Sequence, residues 1–164
     1  SMASKADFTP EEWQTIVAAA PMVGLAVTCA SPNGPWGALK EMLSMGMAMA
    51  EMLQKGGSNP LIADLAADFK ARQTKPEAPK GIKDSEQGKE LALNHVRAVN
   101  DLLDRKVKGE EAHEFKKWLL SVAHRVAEAS NEGGILGFGG ERVSDAENSV
   151  LRQIAFALGQ PASS

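Results

Sequence analysis

The sequence predicts an all-α fold, and three observations carry that prediction. Ala, Leu, Met and Glu are abundant while Tyr is absent and aromatic content is low, a balance that favours helix over sheet. Apolar residues recur at three- and four-residue spacing through most of the chain. Capping signatures stand before two of these periodic stretches, at Thr9–Glu12 and Ser144–Glu147. The expected architecture is a single-domain bundle of six or seven helices. A chain of 164 residues can bury such a core without metal or disulfide staples.

Residues 1–8 precede the first helix start and are expected to be disordered, with the helical domain over 9–160 and a disordered tail at 161–164. Thr9 caps the first helix, Pro10 suits its first position, and Glu12 closes a capping box. Trp13, Ile16, Val17 and Ala20 follow at helical spacing. The helix should bend at Pro21, which lacks a donor, and stop near Ser31-Pro32-Asn33-Gly34. A second helix is expected from Pro35 to about Gln54. At about 100° per residue, Leu39, Met42, Leu43, Met45, Gly46, Met49, Ala50, Met52 and Leu53 fill one half of its wheel, which predicts a buried central element. Asn59-Pro60 opens a third helix with Leu61, Ile62, Leu65 and Phe69 inside.

Residues 73–83 read QTKPEAPKGIK. Their prolines, glycine and charges predict an extended, mobile linker between halves 9–72 and 84–160. A fourth helix opens at Asp84 or Ser85, with Ala92, Val96, Val99 and Leu103 as its core stripe. A fifth follows Lys108-Gly109 and carries Phe115, Trp118, Leu119, Val122 and Val126. The Gly-rich stretch 133–140 is a loop. The last helix carries Val150, Leu151, Ile154 and Leu158 and ends at Gly159 and Pro161. Each half has a Trp early in a helix (Trp13, Trp118) and then an Ala-Ser pair (Ala30-Ser31, Ala129-Ser130), a pattern that suggests two related helical halves.

Charge and composition exclude some function classes. A net charge of −3 without clustered Lys and Arg argues against nucleic-acid binding. No run of about 18 apolar residues exists, so no membrane span is expected. The single thiol, Cys29, and the absence of a secretory pattern point to a reducing, cytoplasmic setting.

Several residue groups could carry chemistry. Met42, Met45, Met49 and Met52 share one edge of the second helix. They offer either core packing or an adaptable contact surface; with no Cys or His in that helix, a Cu(I) site is incomplete. In the 133–140 loop, five glycines and the apolar Ile135, Leu136 and Phe138 form either a plug into the core or a contact site for a partner. The loop lacks a Walker ending and follows a helix, so it is no dinucleotide fingerprint. Glu132, Glu141, Asp145 and Glu147 flank it. They could collect a hard cation, while Asp145 and Glu147 equally suit a helix N-terminus. His95 falls on an apolar face, and His113 and His124 are too far apart along one helix to share a metal. Cys29 and His124 would form a nucleophile–base pair only if the halves met face to face, and inert burial of the thiol is the simpler expectation.

The stretch Val143-Ser144-Asp145-Ala146-Glu147, followed by Leu151, Ile154, Ala155, Leu158 and Gly159, resembles the closing motif of the tellurite-resistance TerB-like helical family. The resemblance covers residues 115–159 and more faintly 10–52. It implies paired helical halves and a role in stress response, with acidic metal sites in some members. The chain departs from the family pattern at Ser130-Asn131-Glu132-Gly133, where the Asp-Gly turn is missing, so metal ligands are not carried over.

The sequence thus points to a non-enzymatic binding or scaffold protein with no cofactor, engaging a protein partner or a second copy of itself. A metal-responsive stress protein and an enzyme or small-molecule binder with a Met-lined pocket are the alternatives. The linker reading has a direct consequence. Limited trypsin digestion should cut first at Lys75, Lys80 or Lys83 and leave two associated fragments. First cleavage within 84–130 would contradict it.

Overall fold

In a computed structural model, residues 2–31, 54, 57–72, 82–132 and 143–161 are described. A 3-10 turn, Lys5–Asp7, precedes helices α1 (Pro10–Val17), α2 (Ala19–Cys29), α3 (Pro60–Arg72), α4 (Ser85–Lys106), α5 (Gly109–Glu132) and α6 (Asp145–Ala157). There is no strand among the described residues, so the class is all-α. Among the described residues α1 and α2 are parts of one rod broken at Ala18, so five of the six or seven helices expected are accounted for. The second helix expected over 35–54 lies outside the described residues except for Gln54.

The break at Ala18 follows from Pro21. Proline has no N–H to offer the carbonyl of Val17, and its ring would crowd that carbonyl. The chain interrupts the helix at Ala18 (φ −81, ψ −7), so Pro21 falls in the first turn of α2, where backbone donors need no helical partner. Ala18 N still donates to Gln14 O at 3.0 Å and Met22 N to Ala18 O at 2.9 Å. The bend expected at the proline therefore sits upstream of it and costs few hydrogen bonds.

Helix α2 is buried nearly all round: Ala19, Ala20, Val23, Gly24, Leu25, Ala26, Val27 and Thr28 are inside. Its polar exception, Thr28, donates its hydroxyl to Leu25 O at 3.0 Å. Helices α4 and α5 form its main walls, with α6 and α1 against it as well. The facing stripes are those the sequence predicts: Ala92, Val96, Val99 and Leu103 on α4, Phe115, Trp118, Leu119 and Val122 on α5, and Val150, Leu151, Ile154 and Leu158 at α6. Lys116 of α5, 7% exposed, bonds Asp104 of α4 at 2.6 Å and closes the seam between them. In α3, Leu61, Ile62 and Leu65 are buried and Phe69 is partly so.

Helix ends obey local chemistry. Asp84 caps α4 by accepting from Gln87 N at 2.7 Å. Asn59 caps α3 by accepting from Leu61 N at 3.0 Å. Gly159 ends α6 at φ +62, with Gln160 N donating to Ala155 O at 2.9 Å, a Schellman closure.

Three expectations are corrected. Residues 2–8 are ordered rather than disordered: Ala3 and Phe8 are each 8% exposed. No local signal shows that their backbone donors find carboxylates across the fold. Of the linker expected over 73–83 only the last two residues are described: Ile82 packs on the core and Lys83 N donates to Gln87 Oε1 at 2.8 Å. The two Ala-Ser pairs are not equivalent, since Ala30-Ser31 follows the end of α2 while Ala129-Ser130 still lies within α5. Of the expected tail at 161–164, only Pro161 is described, and it is exposed.

Gly88 marks the close approach of α4 to the end of α2. A Cβ there would meet Cys29 Sγ at 2.8 Å and Ile82 Cγ2 at 3.3 Å. Gly88→Ala would gain about 1 kcal/mol in helix propensity. Overpacking a site this tight costs about 1–3 kcal/mol, so urea titration should show net destabilisation. In a Cys29→Ala background the same substitution should stabilise. An equal effect in both backgrounds would show that the sulfur is not the obstacle.

Candidate functional site

Most of the side chains that the sequence offers as a site fall outside the described residues. This holds for Met42, Met45, Met49 and Met52, for Ile135, Leu136 and Phe138, and for Glu141. Glu132 closes α5, but its side chain is likewise not described. Asp145 and Glu147 remain, and both open α6. Asp145 is exposed in the first turn. Glu147 is fully buried and works as a cap: its Oε1 accepts from Ser144 N at 3.1 Å and from the Ser144 hydroxyl at 2.9 Å, while its own N donates to Ser144 Oγ at 3.2 Å. A buried carboxylate engaged in this way satisfies the helix terminus. Among the described residues no group of three or more His, Cys, Asp or Glu could hold a metal ion.

The histidines separate by environment. His95, half-buried on α4, has Nε2 2.9 Å from Thr15 O. A carbonyl only accepts, so Nε2 carries the proton and ties α4 to α1. His113 and His124 are exposed on α5. Burial pushes the Cys29 thiol above its ordinary range, outweighing the opposing pull of Lys89, with Glu86 adding to the rise. The charges acting on the thiol thus come from the first turns of α4, and the face-to-face pairing with His124 finds no support in them.

Among the described residues a polar cluster lies where the sequence predicts disorder. Ala3 N donates to Glu111 Oε2 at 3.0 Å in a buried setting, and Asn59 Nδ2 donates to the Glu111 carbonyl at 3.2 Å. Lys5 N donates to Asp64 Oδ2 at 2.8 Å, and Lys5 Nζ pairs with Asp68 Oδ1 at 2.8 Å. The Trp13 indole donates to the other oxygen of Asp68 at 2.7 Å. Lys106 Nζ reaches Asp7 O at 3.1 Å and Glu12 Oε1 at 2.7 Å. That bond, with the Thr9 amide, holds the Glu12 carboxyl below its usual range. Phe8 packs on Trp13 with ring centroids 6.0 Å apart, and Lys5 Nζ stands 5.7 Å from the Trp13 ring. One sequence signal for this cluster exists. Phe8 and Trp13 occupy the positions flanking the Thr9 cap that form a hydrophobic staple, which fixes how the chain enters α1.

Large apolar side chains on the described surface are few, and Phe156 stands out at 86% exposed. It lies in the last turn of α6, between exposed polar neighbours such as Arg152 and Gln153.

The raised pKa of Cys29 makes a prediction about reactivity. At pH 8 its reaction with a thiolate-selective reagent should run slower in the folded chain than in denaturant, because less of the thiol is ionised. The folded rate should keep climbing at pH values where the denatured rate has levelled off. Equal rates in both states would show an ordinary, accessible thiol. No family model, curated protein or solved structure matches the chain.

Proposed function

We propose that this chain is a non-enzymatic helical binding or scaffold protein of the cytoplasm, acting through a protein partner. The observation that carries the reading is Phe156, an aromatic ring 86% exposed on a helix closed by a capping box and a Schellman turn. Aromatic rings on rigid elements are common anchors of protein contacts, because they bring a large apolar area with little entropy to lose. The sequence offers Ile135, Leu136 and Phe138, and Met42, Met45, Met49 and Met52, as further candidates for a partner contact. The side chains most suited to chemistry support the same reading. Glu147 caps a helix, His95 links two helices, and Cys29 is held as a neutral thiol. A TerB-like, metal-responsive role would need Glu147 to leave its cap, which makes it the weaker alternative.

The test compares the parent with Phe156→Ser and Phe138→Ser. Replacing so exposed a ring as Phe156 should leave the melting temperature within the small range usual for surface changes. Affinity capture from a native lysate should retain a partner on the parent and lose it on Phe156→Ser, Phe138→Ser or both. Identical capture by all three chains would overturn the reading. Calorimetry showing tight uptake of Ca²⁺, Mg²⁺ or Zn²⁺ would favour the metal-responsive alternative.

A further inference from the structure

Residues 2–8 run across the bundle as a strap whose tie points fall on three different helices. Its amides reach Glu111 of α5 and Asp64 of α3, the Lys5 ammonium reaches Asp68 of α3, and Lys106 of α4 donates to the carbonyl of Asp7. We propose that this strap is a latch: it opens as a unit, and its closed state holds α3 and Trp13 in place against the bundle. The latch does not depend on the binding reading above.

Its placement on α3 carries the first part of the argument. Polar ties between α3 with its cap and other described elements include those of Asn59 with Glu111, of Asp68 with Trp13, and of Asp64 and Asp68 with Lys5. Glu111 and Asp68 each serve both the strap and one of the other ties, so the strap shares the anchors that seat α3. Trp13 is 2% exposed and lies beneath strap residues, with the Phe8 ring and the Lys5 ammonium against it. Release of the strap removes cover from that ring and an ion partner from Asp68 in one step.

The means of closure carries the second part. Of the strap's side chains only Ala3 and Phe8 are buried, while the backbone of the whole segment must be ordered. Closure therefore leans on charge-assisted hydrogen bonds, and several of these are open to water. The Lys5 side chain is 48% exposed and Lys106 30%. Such ties weaken as salt screens them, whereas the apolar enclosure of α2 does not. A segment held in this way opens at lower free-energy cost than the core beneath it.

Hydrogen exchange followed by mass spectrometry on the full chain tests the latch. Lys5→Glu sets a carboxylate against Asp64 and Asp68 without touching a core position. It should lower protection of the amides in the strap and in α3 by about tenfold or more, with α4 and α5 changed much less. Phe8→Ala should produce the same paired loss by removing apolar cover instead of charge. Raising the parent to about 1 M salt should move it in the same direction as Lys5→Glu. Loss of protection in the strap with α3 unchanged would overturn the proposal. So would equal loss in every helix, which would make the strap part of the global fold, or a strap unmoved by both substitutions.

Discussion

The structure is organised by the need to enclose α2. Eleven residues make a helix too short to persist in water on its own, and this one presents apolar or small side chains on every face. It is stable only when surrounded. That requirement explains the length of its neighbours: α4 and α5, with 22 and 24 residues, are long enough to wall it on both flanks and still pair with each other. Helix α6 covers a further side, and α1 completes the enclosure through the bend at Ala18. The apolar stripes of α4, α5 and α6 are directed inward because α2 gives them a common surface to cover.

Much of this enclosure can be read from sequence, because it rests on local and periodic signals. The boxes at Thr9–Glu12 and Ser144–Glu147, the Asp84 cap and the stripes of α4, α5 and α6 all depend on residues within a turn or two of one another. The features that escaped depend on partners far along the chain. Ala3 and Lys5 read as part of an unstructured start, and nothing near them in sequence announces Glu111 or Asp64 as acceptors. The approach of Cys29 to Gly88 is equally non-local: a lone glycine early in a helix reads as a propensity cost until the sulfur opposite is seen. The displacement of the bend from Pro21 to Ala18 was within reach, since the proline's missing donor and crowded carbonyl both act one turn upstream.

The candidate site was legible only in its modest members. Asp145 and Glu147 stand at a helix start, and the capping reading weighed for them agrees with the geometry of Glu147. His95 was placed on an apolar face, and it sits half-buried with a carbonyl partner from α1. Phe156 passed unremarked, because an aromatic one step outside a helical stripe looks like part of it at the scale of a wheel. The same limitation applies to the cluster around Trp13, whose staple pattern is local but whose carboxylates come from α3 and α5.

The bond between Ala3 and Glu111 spans a separation of 108 residues. Bringing together points so distant costs chain entropy that a single hydrogen bond does not repay, so contact waits until intervening structure has shortened the path. The acceptor itself sits in the first turn of α5, and Asn59 is fastened to the carbonyl of the same residue. The Ala3 tie can therefore form only once the start of α5 has joined the bundle. During synthesis Ala3 leaves the ribosome well ahead of its acceptor, whereas Lys5 finds Asp64 after a separation of 59 residues, so the segment can dock in stages.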